Sequence, residues 1–260
     1  MKADFDKAAA NYDAVFTNSV IGKLQRSLVY EHLSKILKSK PNQEILEINC
    51  GTGEDAVWMA NKNHHVMATD ISKEMLTRAK DKADLPNLTY KQVDLTKLSA
   101  VFPDQKFDLI FSNFGGLNCL SKIQLEDFFR SSSEIIAPNG KLVLIIMPKN
   151  TLWEQSYFLW KRNFKNVFRR KKEVAIADVN GEKVTTYYYN PKDIVHLSKS
   201  YFEISACKPI GFFAPPSYLE SFFKDKPKLI SLLNNLEQKI KNQSWLSKYA
   251  DHYLIVVEKK

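Results

Sequence analysis

Residues 44–60 read EILEINCGTGEDAVWMA, a short apolar strand that leads through a glycine-containing turn into a helix. The strand carries Ile45, Leu46 and Ile48, and the turn is Cys50-Gly51-Thr52-Gly53. Glycines allow the backbone of such a turn to pass close to a ligand, and the first turn of a helix offers free N–H groups. The stretch therefore predicts a binding site for a nucleotide-like cofactor.

The sequence on both sides of this stretch alternates between strands and helices. Strands are predicted at 45–48, 65–69, 88–93, 107–112 and 141–147, with helices at 54–62, 73–82 and 123–136 between them. Later strands are predicted at 202–207 and at 252–257, the last as an edge strand. This order favours the α/β class, with a doubly wound, mostly parallel seven-stranded sheet. Ligands of such sheets bind at the carboxyl ends of the strands, where we expect Asp70, Asp94 and Asn113 to lie.

Three regions are expected around this sheet. Residues 1–40 form a helical leader that is predicted to pack over the open edge of the sheet, with Phe5, Tyr12 and Arg26 facing the cofactor. Residues 41–148 and 190–260 form the cofactor-binding core. Residues 149–189 form an insertion that covers the acceptor site as a lid, with a hairpin turn at Asn180-Gly181.

The composition is that of a globular protein, with 44% hydrophobic and 26% charged residues in a chain of 260. The longest apolar run, 142–147, is far below the roughly 20 residues that span a bilayer, and the N-terminus has no signal-peptide pattern. The three cysteines fit neither a disulfide framework nor a metal site, which favours the cytoplasm. A net charge of +9 favours acidic partners, although a solvated lysine-rich surface explains it equally well.

Two cofactors compete for the glycine turn. Gly51, Gly53 and Ala56 fit the loose dinucleotide pattern, with Asp70 as the acidic residue about 20 positions on. That pattern keeps an NAD-dependent oxidoreductase open as an alternative.

The stretch around the turn and four later segments favour another cofactor, because they occur in an order and spacing that resemble the class I S-adenosylmethionine-dependent methyltransferases. They are LEINCGTGEDA, MATDISKEMLTRAK, KQVDL, FDLIFSNFGGLNCL and PNGKLVL, and the leader FDKAAANYD is typical of the small-molecule and lipid-quinone branch. The resemblance covers about residues 4–147. It implies a Rossmann-like fold, S-adenosyl-L-methionine as the cofactor, and methyl transfer that releases S-adenosylhomocysteine.

The resemblance also implies roles for matching residues. Asp70 would accept the ribose hydroxyls, and Ile71 and Met75 would flank the adenine ring. Asp94 would take the adenine amino group, with Leu95 donating its backbone N–H. Toward the methionine end, the expected cofactor-binding residues are Tyr12, Arg26, Glu47, Asn49, Cys50, Gly51, Gly53, Asn113 and Asn118.

One departure from the family pattern is Asn49, which stands where the family has its first glycine. Asparagine tolerates left-handed backbone better than other non-glycine residues, so the turn can form. A cofactor-binding protein without turnover therefore remains an alternative.

The acceptor is expected to be a small apolar or aromatic molecule, with O-methylation as the first hypothesis. A hydroxyl acceptor needs a base, and His196 is the histidine that we nominate. No metal site is expected. The predicted acceptor pocket is lined by Trp153, Tyr157, Trp160, Tyr188 and Phe213.

The basic stretch 158–172 leaves other partners open. Its aromatic and basic residues, predicted to lie on one helix, suit RNA binding, and RNA methylation is a second alternative. The same spacing suits an amphipathic helix at a membrane surface.

Overall fold

A computed structural model describes residues 6–179 and 182–260. Phe5 and the predicted turn at Asn180-Gly181 lie outside the described residues. The helices are α1 (Val20–Leu37), α2 (Glu54–Ala60), α3 (Lys73–Lys82), α4 (Leu98–Val101), α5 (Lys122–Ile135), α6 (Leu152–Trp160), α7 (Pro191–Ser198), α8 (Glu220–Phe223) and α9 (Pro227–Ile240). The strands are β1 (Glu44–Ile48), β2 (His65–Asp70), β3 (Leu88–Gln92), β4 (Phe107–Ser112), β5 (Ile136–Ile146), β6 (Ala175–Val179), β7 (Glu182–Thr186), β8 (Phe202–Ile210) and β9 (His252–Lys259).

Seven strands form one sheet in the order β3-β2-β1-β4-β5-β9-β8. The first five are parallel, so Ile48, Thr69 and Ser112 lie side by side at the carboxyl ends of their strands. The edge of the sheet at which the candidate site lies is this row of carboxyl ends. β9 runs antiparallel to both β5 and β8. The prediction of a doubly wound, mostly parallel seven-stranded sheet is confirmed.

The last strand, β9, is not an edge strand, and that prediction is wrong. β9 is inserted between β5 and β8 and is hydrogen-bonded on both sides. Tyr253 to Val257 are all buried, because helices cover both faces of the sheet at this position. The described edge strands are β3 and β8.

The leader lies differently from its prediction. Its long helix, α1, packs across one face of the sheet, where Leu28, Val29 and Leu33 join the apolar cluster around Ile45 and Val143. A continuous apolar side of α1 buries more area on a face than an edge can offer. The opposite face is covered by α5 and α7. None of the helices in residues 6–179 and 182–260 is long and apolar enough to cross a membrane.

The basic stretch 158–172 is not one helix, and that prediction is wrong. α6 ends at Trp160, and Arg162 adopts a positive φ of 53° that turns the chain. Two short 3-10 turns follow, at Phe164–Asn166 and Arg169–Lys171. The chain folds back because Arg169 and Arg170 both bind Glu154 near the start of α6.

Candidate active site

The turn after β1 contains a glycine at a position where any side chain would be strained and crowded. Gly53 has a φ of +75° and immediately precedes α2. A Cβ at Gly53 would lie 2.9 Å from the Cβ of Ala79 and 3.1 Å from the hydroxyl of Tyr90. Close packing of α3 and β3 therefore holds the turn, while Cys50 donates its N–H to the carbonyl of Thr69 at the end of β2.

Asp70 joins the turn to the start of α3. Its carboxylate accepts the N–H of Gly51 at 2.9 Å and the N–H of Ser72 at 2.9 Å. Burial raises the pKa of Asp70, and these backbone hydrogen bonds oppose the rise. Met75 lies on α3 with its N–H bonded to Ser72 Oγ. Ile71 lies between Asp70 and Ser72 in the chain, and its carbonyl accepts a hydrogen bond from Gln92 Nε2.

Asp94 follows the neighbouring strand at the same edge. Val93 donates its N–H to the carbonyl of Asp70 at 3.0 Å, which brings the two acidic residues to adjacent positions. Asp94 accepts the Thr96 N–H at 3.0 Å and so begins the short 3-10 turn that contains the buried Leu95. The expectation that Asp70 and Asp94 share one edge agrees with these positions.

A buried ionic cluster lies on the other side of the turn, around Asp55 of α2. Asp55 binds Arg26 Nε at 2.9 Å, the Tyr30 hydroxyl at 2.7 Å and Asn113 Nδ2 at 2.9 Å. The Arg26 guanidinium also lies 5.3 Å from the ring centre of Phe114. Burial opposes the charge of Arg26, but the Asp55 carboxylate holds the pKa of the guanidinium above its ordinary value. The leader is thus bonded to the core beside the turn.

Two charged side chains at this cluster each have one buried atom without a hydrogen-bond partner among the described residues. Glu47 is only 1% exposed, and its Oε2 makes no hydrogen bond with a described residue. Arg26 Nη1 is likewise buried without a partner in the described chain. Burial raises the pKa of Glu47 well above its ordinary value, and the negative charge of Asp55 adds to the rise. Buried orphan groups of both charge types are unusual and indicate a site for a ligand that carries complementary charges.

The raised pKa of Glu47 predicts a pH-dependent loss of stability. Below the ordinary pKa of a glutamate, Glu47 is protonated in both the folded and the unfolded chain, so its raised pKa does not change the free energy of unfolding. As the pH rises toward the folded-state pKa, only the unfolded chain releases the proton freely, so folding loses stability. We expect Glu47→Gln to match the wild type at low pH and to be more stable by about 1–3 kcal/mol at neutral pH.

Urea unfolding of both proteins at several pH values measures this difference. Glu44→Gln is the matched control, because Glu44 is exposed at the start of the same strand. A Glu47→Gln variant that is less stable than the wild type at neutral pH would contradict the raised pKa.

Asn49 is accommodated by a glycine from another loop. Asn49 has a φ of +55°, and its side chain lies against Gly116 after β4. A Cβ at Gly116 would lie 2.5 Å from Asn49 Nδ2 and 2.6 Å from Asn49 Cβ. The space that Asn49 needs is therefore provided by Gly116.

We expect Gly116→Ala to destabilise the protein by about 1–3 kcal/mol through this overlap. In an Asn49→Gly background the same change should cost clearly less, because the side chain that it meets is gone. A double-mutant cycle by chemical denaturation measures the difference. Equal costs in the two backgrounds would show that the two residues are not coupled.

The cavity between the turn and the leader is small. It is lined by Tyr12, Arg26, Asn49, Cys50, Gly51, Thr52, Glu54, Asp55, Asn113 and Phe114, and its volume is about 30 Å³. The leader closes it, since Asp13 accepts from Thr52 Oγ1 at 2.6 Å and pairs with Lys82 at 3.0 Å. Asp6 is bonded to Ser72 Oγ in the same way. Burial raises the pKa of Tyr12 to about 12.

A larger groove of about 370 Å³ lies at the opposite edge of the sheet, beside Glu44 and Phe107. This edge holds the amino ends of the parallel strands, where ligands of such folds do not bind.

Asn118 has a structural position within the predicted site. Its Nδ2 donates to the carbonyls of Met147 and Tyr187, and its Oδ1 accepts the Met147 N–H at 2.9 Å. These bonds occupy both ends of the amide and tie the loop after β4 to the insertion. They leave Asn118 without a free group for a cofactor.

The predicted acceptor residues do not form one pocket. Trp160 is 76% exposed, and its assignment to a pocket wall stays a prediction. Trp153 and Tyr157 pack against Phe223 and Tyr218 beside α8. Tyr188 is buried under the guanidinium of Arg170, 4.9 Å from its ring centre. Phe213 lies in a loop whose N–H groups bind Glu237.

His196 is exposed on α7, and no described contact joins it to the cavity. His252, which the sequence analysis did not nominate, stands at the start of β9 beside the carboxyl end of β5. Its ring meets Phe114 of the cavity wall at 5.7 Å between centres, and its Nδ1 lies 3.2 Å from Asp251 Oδ2. The adjacent acidic residue in the sequence DH is the signal that could have found it. Among the described residues, no group of three or more His, Cys, Asp or Glu side chains is placed to hold a metal ion.

The known proteins that this chain resembles include methyltransferases. Residues 45–140 match the family model of a methyltransferase domain. An uncharacterized protein of Methanocaldococcus jannaschii is 25% identical, over 94% of this chain and 92% of that protein. A ubiquinone/menaquinone biosynthesis C-methyltransferase of Shewanella frigidimarina is 27% identical, over 60% of this chain and 63% of that enzyme.

The fold is shared with solved structures as well. A putative S-adenosylmethionine-dependent methyltransferase from Listeria monocytogenes superposes with a TM-score of 0.62 at 17% identity, covering 92% of this chain and 99% of that one. That likeness concerns the fold, whereas the matched domain covers the glycine turn and both strand-end carboxylates. Residues 45–140 are therefore similar to a methyltransferase domain, and the chain shares its fold with S-adenosylmethionine-dependent methyltransferases.

Proposed function

We propose that this protein transfers the methyl group of S-adenosylmethionine to a small apolar or aromatic acceptor. One observation supports the cofactor part most strongly. Asp70, held by the N–H groups of Gly51 and Ser72, lies at the same ends of the strands as the buried Glu47, whose Oε2 makes no hydrogen bond with a described residue. The strand ends thus offer one fixed acceptor for hydroxyl groups and one buried carboxylate oxygen that a cationic group of the cofactor would satisfy.

These residues fit the cofactor at both of its ends. Asp70 would accept the ribose hydroxyls, while Asp94 and Leu95 would hold the adenine between Ile71 and Met75. The orphan atoms Glu47 Oε2 and Arg26 Nη1 would pair with the ammonium and carboxylate of the amino-acid end. The cofactor, when bound, supplies a methyl group on a positively charged sulfur that is a good leaving group.

The protein's own part in the reaction is to position the acceptor and exclude water. Phe16 and Phe114 meet edge to face at 5.0 Å and form an aromatic wall beside the cavity. We expect the insertion 149–189 to act as a lid on this side of the core. Its first helix, α6, is joined to the segment before β9, since Leu152 donates its N–H to the carbonyl of Tyr249 at 3.1 Å. An apolar or aromatic acceptor is the class that such a wall would bind.

A hydroxyl acceptor must lose its proton during O-methylation. We infer that His252 takes this proton, because it touches the cavity wall while His196 does not. Asp251 faces Nδ1 of His252 at 3.2 Å and would stabilise the imidazolium that forms. Carbon methylation is the second candidate, favoured by the likeness to the ubiquinone/menaquinone C-methyltransferase. Deprotonation of a ring hydroxyl would serve that reaction too.

Thermal unfolding with S-adenosylmethionine, S-adenosylhomocysteine and NAD tests the cofactor. A ligand at about 100 times its dissociation constant adds roughly 2.7 kcal/mol to the free energy of unfolding. We expect the first two to raise the melting temperature and NAD to leave it unchanged. Stabilisation by NAD alone would favour an oxidoreductase instead.

Transfer of a labelled methyl group to phenols, amines and extracted lipids tests the acceptor. Product formation with phenols or quinone precursors is the expected result. Cofactor binding with no transfer to any of these classes would favour a binding protein without turnover.

A further inference from the structure

Large apolar side chains are exposed together at the end of α6 and beside it. Leu159 is 51% exposed, Trp160 76%, Phe164 70%, Phe168 56% and Phe222 55%. Burying such side chains would be favourable, so their exposure on the isolated chain indicates a partner. We call these five residues, with the basic residues Lys161, Arg162, Lys165, Lys171 and Lys172, the docking surface.

Ring contacts and ion pairs join the elements that carry the docking surface. On its inner side, Trp153 of α6 meets Phe223 at 5.9 Å, and Tyr157 meets Tyr218 at 5.4 Å. These contacts place the exposed Phe222 of α8 next to α6. The 3-10 turn that follows Phe168 is tied back to α6 by two ion pairs with Glu154, at 2.7 and 3.0 Å.

No described ion pair neutralises the five basic residues of the docking surface. Residues 155–172 contain seven Lys and Arg residues and no Asp or Glu. Arg169 and Arg170 are paired with Glu154, but the other five make no ion pair with a described residue. Lys161 and Lys171 instead lie over the rings of Trp160 and Phe168, at 4.9 and 4.5 Å. The surface therefore combines aromatic groups with free cations.

We propose that the docking surface binds the protein to an anionic lipid bilayer. Aromatic and aliphatic side chains enter the headgroup region, and lysine and arginine side chains reach the lipid phosphates around them. Leu159 favours a bilayer over RNA, since an aliphatic side chain offers no surface for base stacking. Long basic side chains beside the aromatic rings are the arrangement that an anionic interface attracts.

The buried Arg170, next to Lys171 of the docking surface, joins this region to the candidate active site. Arg170 binds Asp251 at 3.1 Å, Asp251 faces His252, and the His252 ring meets Phe114 of the cavity wall. A bilayer on this surface would lie beside the acceptor side of the core. This position also favours an amphiphilic acceptor taken from the lipid, an inference that rests on the proposed function. Membrane binding itself does not depend on that function.

Co-sedimentation with vesicles tests the proposal on the full chain. The vesicles contain phosphatidylcholine with or without phosphatidylglycerol, at low and high salt. Three variants are compared: Trp160→Ser/Phe164→Ser/Phe168→Ser, Lys161→Glu/Lys165→Glu/Lys172→Glu, and Trp245→Ser. Trp245 is 64% exposed outside the docking surface and is the control. The shift of the melting temperature with S-adenosylmethionine shows that each variant keeps its fold and cofactor site.

Binding to the anionic vesicles, weakened by salt, is the expected result. The aromatic variant should bind at least about tenfold more weakly, and the charge variant about 100-fold, since each cation near the surface contributes about fivefold. The control should bind like the wild type. Loss of binding in the control, or unchanged binding in both variants, would overturn the proposal.

Binding of a single-stranded RNA by the same variants distinguishes RNA from a bilayer as the partner of the docking surface. RNA binding that is tighter than vesicle binding and is lost in the same variants would replace the bilayer with RNA. Vesicle binding by a protein that shows no cofactor response would leave the docking surface standing and refute the proposed function.

Discussion

Asp70→Asn is expected to weaken S-adenosylmethionine binding by about 100-fold or more. The carboxylate would accept two ribose hydroxyls, and each hydrogen bond to a charged group contributes about 1.5–3 kcal/mol. An asparagine amide keeps the size of the side chain but offers one oxygen, which Gly51 and Ser72 already compete for. Isothermal titration of wild type and variant measures the loss.

Asp108→Asn is the matched control for this change. Asp108 also accepts a backbone N–H, from Glu44 at 3.0 Å, and binds Lys40 at 2.6 Å, but it lies at the amino ends of the strands. We expect its affinity for the cofactor to equal that of the wild type. An Asp70→Asn protein that binds as tightly as Asp108→Asn would remove Asp70 from the cofactor site.

Asp55→Ala is expected to destabilise the fold by about 3–5 kcal/mol. Removing one partner of a buried ion pair leaves the other charge without compensation, and Arg26 is only 8% exposed. The change also removes the acceptor for Tyr30 and Asn113. Guanidinium unfolding at neutral pH measures the loss.

Asp127→Ala is the control, since Asp127 pairs with Arg130 at 3.0 Å but half of each side chain is exposed. Exposed pairs of this kind contribute at most about 1 kcal/mol. A cost of Asp55→Ala as small as that of Asp127→Ala would mean that water reaches Arg26 and replaces its partner.

The sheet and the carboxylates at its edge could be predicted because their signals are local. β1 to β5 alternate with helices along the chain, and parallel strands bring Asp70 and Asp94 to one edge whatever the details of packing. The positions of β9 and α1 depend on which surfaces remain uncovered after the first five strands assemble. No short stretch of sequence contains that information.

The bend at Arg162 and the Asp55 cluster show the same limit at the scale of side chains. The aromatic spacing of 153–168 continues a helical period through Arg162, but Glu154 attracts Arg169 and Arg170 and the chain turns back. Asp55 joins Arg26 and Asn113, which are 29 and 58 residues away. The sequence alone favours His196 over His252, because only the pairing of β9 with β5 brings His252 to Phe114.

The contacts that close the leader over the cavity affect how fast the cofactor can be exchanged. A cavity of about 30 Å³ holds roughly one water molecule, far less than a nucleoside cofactor occupies. A cofactor that binds in this cavity would require Asp13 to release Thr52 and Lys82 on entry and again on exit. Opening of the leader would then limit the turnover number, however fast the methyl group itself is transferred.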